Sequence, residues 1–226
     1  KAIESRKSLI TQSLIFQMSI CIMIVPILYI FSTKISAIIF NYKNAHIYFQ
    51  LILLQIPFMI LINFSQNILK WTFQRSLFLF MSVGFVIVQA TFIVIGTTTS
   101  DLNIKAVLVL YLSSNIIFGI LGLILIKDWL TSNFKNNFFK KLIPFAIPIG
   151  IICVFDSFIP ALERNIIILT LDPEKLGLFS SGAKVAMLIS IIVSAFQMAW
   201  DPFCTSLHKE KNAIITFNFV LITFCF

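Results

Sequence analysis

The sequence predicts an all-α, polytopic transmembrane protein, and three observations predict it. Hydrophobic residues make up 59% of the 226 positions and charged residues 12%, against roughly 45–50% and ~25% in soluble domains. Apolar runs close to the ~20 residues that cross a hydrocarbon core recur along the chain, parted by short breaks that carry most of the charge. These runs do not alternate apolar with polar residues over about ten positions, as barrel strands do. A mean hydropathy of +0.99 points the same way.

Seven segments are expected in order. Leu9–Phe31 follows the basic start Lys1, Arg6, Lys7 and carries Pro26. Ile47–Leu69 carries Pro57 and, at spacings of three and four, Asn63, Gln66 and Asn67, amides that either line a cavity or join helices. Ser76–Ile95 begins after Arg75, and Ala106–Ile126 lies between Lys105 and Lys127. Leu142–Leu171 holds Pro144, Pro148 and Pro160, so a bent helix is expected. Leu176–Trp200 starts after Lys175, with Ser180, Ser181 and Gly182 suited to close helix approach. The last run starts at Ala213 and stops after about fourteen residues, too short to span. With Lys1 in place of an initiating Met, the sequence is expected to be a piece of a longer chain, and no signal-peptide pattern is visible at its start.

Cations in alternate breaks set the orientation. Lys1, Arg6, Lys7, Lys70, Arg75, Lys127, Lys135, Lys140, Lys141, Lys209 and Lys211 form one set of eleven. Lys34, Lys43, Lys105 and Lys175 form the other, of four. The positive-inside rule places residue 1 and the 127–141 connection in the cytoplasm. The net charge of +8 is therefore a topology signal and not one for nucleic acid. The connection Lys127–Lys141 is the longest and most basic, and divides the chain into 1–126 with four helices, a linker 127–141, and 142–226. Trp129, Phe134, Phe138 and Phe139 fit a surface helix there, and an ordinary loop fits equally.

Arg164 and Lys184 belong to neither set, because both fall inside expected spans. At ~1.5 Å per residue, Asp156 lies near the midplane, Arg164 roughly 10 Å and Lys184 roughly 12 Å below the outer end of its helix. An ionised group in lipid costs at least ~2.5–3.5 kcal/mol on insertion scales, so such residues normally face water or a bundle interior and are functional candidates. The structural alternatives are outward snorkelling of Arg164, a Glu163–Lys175 pair at the rim, and a Lys184–Asp156 pair. Glu163 shares the face of Asp156 unless Pro160 bends the helix. Pro160 offers no N–H to the carbonyl of Asp156, which leaves a free backbone acceptor beside that carboxylate. Asp201, beside Trp200 at the end of its segment, is expected to be a solvated interfacial carboxylate.

No catalytic or metal-binding constellation is visible. His46 and His208 lie apart without ligand spacing, and Cys21, Cys153, Cys204 and Cys225 include no C-x-x-C pair. There is no Gly-rich phosphate loop, and the outer breaks are too short for an enzyme domain. No cofactor or metal is expected, and movement of a solute across the membrane is the expected role.

The stretches "LIPFAIPIG", "LERNIIILTL" and "LGLFSSGAKVAMLISIIVSAFQMAWDPF" resemble the first helices of the C-terminal half of bacterial oligosaccharide flippases. These are the O-antigen and capsule type of the multidrug and oligosaccharidyl-lipid exporter superfamily. Arg164, Lys184, Gln197, Trp200, Pro202 and Phe203 match that pattern, while Glu163 replaces a usual Asp, Phe179 a usual Tyr and Asp201 a small residue. The resemblance implies a MATE-like fold of two helical bundles, of which this chain is part. It also implies alternating-access flipping of undecaprenyl-pyrophosphate-linked oligosaccharide across the inner membrane, without enzymatic activity. Arg164 and Lys184 would bind pyrophosphate, Asp156 and Glu163 would couple an ion, and Pro160 would act as a hinge. Expected partners are the lipid-linked oligosaccharide, membrane lipids, a polysaccharide polymerase and chain-length proteins. A multidrug or cation antiporter shares the fold, but its cavity would favour acidic and aromatic residues. A membrane polysaccharide polymerase would need a large outer loop.

Overall fold

The computed structural model describes residues 2–40, 45–99, 103–131, 139–170, 173–207 and 213–225. Lys1, Lys43, Phe134, Lys135, Phe138, Leu171, His208, Lys209 and Lys211, used above, lie outside the described residues. Among the described residues the secondary structure is helical, with no strand. The helices are α1 (Ala2–Ile30), α2 (Ser32–Phe40), α3 (Ala45–Trp71), α4 (Arg75–Thr99), α5 (Ile104–Leu125), α6 (Phe139–Thr170), α7 (Pro173–Leu207) and α8 (Ala213–Cys225). Six of them contain a stretch long and apolar enough to cross a membrane: Arg6–Ile30, Ala45–Trp71, Arg75–Gly96, Ile104–Leu125, Ala146–Ile167 and Lys175–Leu207. The protein is a multi-pass helical membrane protein. Helices suit this solvent because they bond their own backbone groups where hydrocarbon offers none.

The chain forms two compact units, Lys1–Lys135 and Asn136–Phe226. In the first, α3 is central and touches α1, α2, α4 and α5. Its core joins Leu14 of α1, Leu61, Ile62, Phe64 and Leu69 of α3, Met81 of α4, Phe118 of α5 and Ile126. Phe85 meets Phe118 edge-on at 5.5 Å between ring centres. Where α3 meets α5 the backbones come close. A methyl group on Gly122 would stand 2.6 Å from Ser65 Oγ and 2.9 Å from Ser65 Cβ, and one on Gly119 3.3 Å from the Phe58 ring. Small residues on both helices admit this approach, which brings dispersion contacts within range.

Polar ties supplement the apolar contacts. Asn115 Nδ2 donates to Gln55 Oε1 at 3.2 Å, and Gln55 Nε2 donates to the Leu108 carbonyl at 3.3 Å. Both amides are buried and lie near the middle of α3 and α5. Gln50 Nε2 donates to Ser32 Oγ at 2.8 Å and holds α2 on α3. The turn from α3 to α4 closes through Phe73 at φ 57, with Phe73 N–H on Lys70 O and Gln74 N–H on Leu69 O. This pair of bonds is a Schellman cap, with a phenylalanine where glycine is usual. After α5 the chain makes a 3-10 turn, Lys127–Trp129, and Thr131 N–H donates to Thr11 Oγ1 of α1 at 2.9 Å. Trp129 thus lies in a short 3-10 turn and Leu130 in extended backbone, and residues 132–138 of that stretch lie outside the described residues.

In the second unit α6 runs unbroken from Phe139 through Pro144, Pro148 and Pro160. Helix α7 has 35 residues and passes the expected end at Trp200 to reach Leu207, with Pro202 inside it. At 1.5 Å per residue it is about 52 Å long, well beyond a ~30 Å hydrocarbon core. Among the described residues nothing lies within 4 Å of a methyl built on Gly182 or Gly177.

Two outcomes follow from the α3–α5 contact. Gly122→Ala should destabilise the protein by about 1–3 kcal/mol, the usual range for overpacking, and Ser65→Gly in the same chain should recover most of it, read as the thermal midpoint in detergent. Gln55→Leu should cost about 0.6–1.7 kcal/mol, the range for polar contacts between membrane helices, and Gln55→Leu with Asn115→Leu should cost less than the two single changes summed.

Candidate functional site

The charged residues singled out by sequence lie on α6 and α7. On α6, Asp156 sits at the middle of the candidate span Ala146–Ile167. Turning ~100° per residue, Pro160, Glu163 and Arg164 fall within about 100° of arc around Asp156, on one side of the helix. All four are exposed. Arg164 is three residues from the end of that span, or roughly 5 Å, nearer the rim than the longer expected segment placed it. Lys184, also exposed, lies nine residues inside Lys175–Leu207, roughly 14 Å. Among the described residues no hydrogen bond or ion pair engages Asp156, Glu163, Arg164 or Lys184.

Local structure accounts for these placements. Pro160 cannot donate to the Asp156 carbonyl, so that oxygen stays available next to its own carboxylate. Ser157 Oγ donates to the Cys153 carbonyl at 2.9 Å, and Thr170 Oγ1 to that of Ile166 at 2.6 Å, so these hydroxyls are spent on their own helix. On α7, Gly177, Ser180 and Ser181 lie one or two turns before Lys184 on the same side, and all are small. Ser181 Oγ donates to Gly177 O at 2.9 Å. Among the described residues, no hydrogen bond or ion pair engages the donors of Arg164 or Lys184. Arg164 can offer a planar fork of N–H groups and Lys184 a compact point charge.

The far end of α7 is aromatic. Trp200 stacks on Phe196 with ring centres 5.7 Å apart and meets Phe203 at 5.8 Å, while Phe217 of α8 contacts Trp200 edge-on at 5.9 Å. Positions 196, 200 and 203 share one side of the helix, so these three residues of the "FQMAWDPF" stretch form one ladder that contacts α8. Asp201 is exposed on the same helix, and Thr205 Oγ1 donates to its backbone carbonyl at 3.0 Å.

No group of three His, Cys, Asp or Glu residues that could hold a metal occurs among the described residues. Cys21, Cys153 and Cys204 are free thiols. The amide tie Gln55–Asn115 and the Gly122–Ser65 contact escaped the sequence, because single polar or small residues in apolar runs give no spacing signal. The amides that did, Asn63, Gln66 and Asn67, make no hydrogen bond among the described residues.

No curated protein and no solved structure matches the chain. A family model described as polysaccharide biosynthesis protein matches residues 1–208, across both units. Six membrane-long helices with charges on them and a match over nearly the whole length converge on one assignment: the chain belongs to the polysaccharide biosynthesis protein family.

Proposed function

We propose that this protein flips undecaprenyl-pyrophosphate-linked oligosaccharide across the bacterial inner membrane during surface polysaccharide or O-antigen synthesis. The observation that carries this reading is the presence of two cations, Arg164 and Lys184, exposed and without a partner among the described residues, within candidate spans of a polysaccharide biosynthesis family member. A pyrophosphate is strongly anionic, and crossing hydrocarbon is its dominant barrier. Cations in surroundings of low dielectric attract it far more strongly than they would in water. Arg164 would grip phosphate oxygens in bidentate fashion, and Lys184 would add charge as the group moves. Asp156, and Glu163 on the same side of α6, would bind H⁺ or Na⁺ and tie cargo movement to an ion gradient. Pro160 would let α6 bend between alternately open states.

In this proposal residue 1 and the 127–141 connection face the cytoplasm, as the cation bias requires. Residues 1–126 would end the N-terminal bundle of a MATE-like transporter, and 142–226 would begin the C-terminal one. The protein would act as a transporter and not an enzyme, working beside a polysaccharide polymerase and chain-length proteins.

The test is surface polysaccharide display in cells carrying Arg164→Ala or Lys184→Ala, with membrane abundance measured alongside. Loss of one charge-assisted contact of ~1.5–3 kcal/mol should lower transport roughly 10- to 100-fold at normal abundance, with lipid-linked sugar accumulating inside. Normal display would refute the assignment, and lost abundance would make the residues structural. Asp156→Asn should leave residual display that no longer falls when the ion gradient is collapsed.

A further inference from the structure

Helix α3 carries an exposed stripe whose chemistry changes along its length, while Leu54, 46% exposed, lies on the opposite side. At ~100° per residue, Ile52, Met59, Asn63, Gln66, Asn67 and Lys70 fall within an arc of about 100°. The first part of this arc is apolar, with Ile52 45% and Met59 48% exposed. From Asn63 onward it is made of amides and ends at Lys70, whose Nζ lies 5.9 Å from the Trp71 ring centre. Around the rest of α3, residues such as Leu53, Gln55, Leu61, Ile62, Phe64, Ser65 and Leu69 are buried.

The amides in this arc differ from those that tie the helices of the unit together. Gln50, Gln55 and Asn115 each bond a partner on another helix. Asn63, Gln66 and Asn67 bond nothing among the described residues, though Asn63 and Asn67 are exposed one turn apart. Gln17 and Gln89 also make no bond there, but neither has a second unbonded amide a turn away on its helix. An amide facing lipid keeps donor and acceptor unmet, which hydrocarbon penalises. A surface meant for lipid would be apolar along its whole length, as the Ile52–Met59 part is.

We propose that the Asn63–Gln66–Asn67 side of α3 lines a water-filled path and binds the sugar hydroxyls of the lipid-linked cargo. This rests on the transport reading above and assigns a site for the saccharide, separate from the cations assigned to the pyrophosphate. A carboxamide presents a donor and an acceptor together, which matches the paired donor and acceptor of a sugar hydroxyl. Being uncharged, it exchanges sugar for water with little net change in hydrogen bonding, as a passage that must also release its cargo requires.

The experiment uses the intact protein in inside-out membrane vesicles, with its native cysteines replaced. Asn63→Cys, Asn67→Cys and, as the apolar control, Ile52→Cys are labelled with a charged, membrane-impermeant thiol reagent. Because the thiolate reacts and needs water to form, the two former sites should label at least about tenfold faster than Ile52→Cys. Added undecaprenyl-pyrophosphate-linked disaccharide should slow that labelling, and undecaprenyl pyrophosphate without sugar should not. Labelling as slow as at Ile52→Cys would overturn the proposal in favour of lipid, another helix or a second copy covering this side. Equal slowing by both carriers would overturn the sugar assignment. Asn63→Leu, Gln66→Leu and Asn67→Leu combined should lose surface display at unchanged abundance; should abundance fall, the labelling comparison decides. If the triple variant displays normally while Arg164→Ala does not, this inference alone falls. If both display normally, the transport reading falls with it.

Discussion

Hydrocarbon offers no hydrogen-bond partners, and this constraint shapes every level of the molecule. It forces the backbone into helices, which bond their own N–H and C=O groups. It also weakens the apolar driving force between helices, since lipid tails are as greasy as leucine. What remains to hold α3 against α5 is close packing and a few polar ties. Gly119 and Gly122 bring α5 against Phe58 and Ser65, and the Gln55–Asn115 bond crosses the same contact near mid-span. Serine and threonine hydroxyls obey the same rule by turning back onto their own helices, as Ser65 does on the Leu61 carbonyl at 2.7 Å.

Against that background the charged groups without partners among the described residues are the candidates for function. Asp156, Glu163, Arg164 and Lys184 stand exposed on membrane-long helices with no protein counter-ion among the described residues. A stable resting place for such charges requires water, an anion or an ion supplied from outside the chain. That requirement underlies the proposal that these residues handle an anionic, lipid-linked sugar, in a member of the polysaccharide biosynthesis protein family. The neutral amides of α3 fit the same logic at lower cost, since they need only water or hydroxyls.

Much of the fold was legible in the chain because hydropathy is a sum over some twenty residues and tolerates local exceptions. Six spans appear where the apolar runs predicted them, with ends differing by a few residues. The largest difference, α7 running on to Leu207, arises because Pro202 is accommodated inside the helix, where it marked no end. The residues of the candidate site were also legible, since a charge inside an apolar run stands out from its neighbours. Their relations were not. Sequence spacing placed Asp156, Pro160 and Glu163 on one side of a helix, but could not say whether Lys184 neutralised Asp156 or Lys175 paired with Glu163.

The contacts that specify the first unit were similarly hidden. Ser180, Ser181 and Gly182 looked suited to close approach, yet among the described residues nothing lies within 4 Å of a methyl built on Gly182, whereas one on Gly122 would meet Ser65. Gln55 and Asn115 are single amides sixty residues apart, unremarkable in their own segments. The sequence by itself determined the solvent, the helical class, the spans and the presence of intramembrane charge, because each depends on local composition. Only the tertiary structure decided which small residues meet, which amides pair and which polar groups are left open, because those depend on the side each helix turns toward its neighbours.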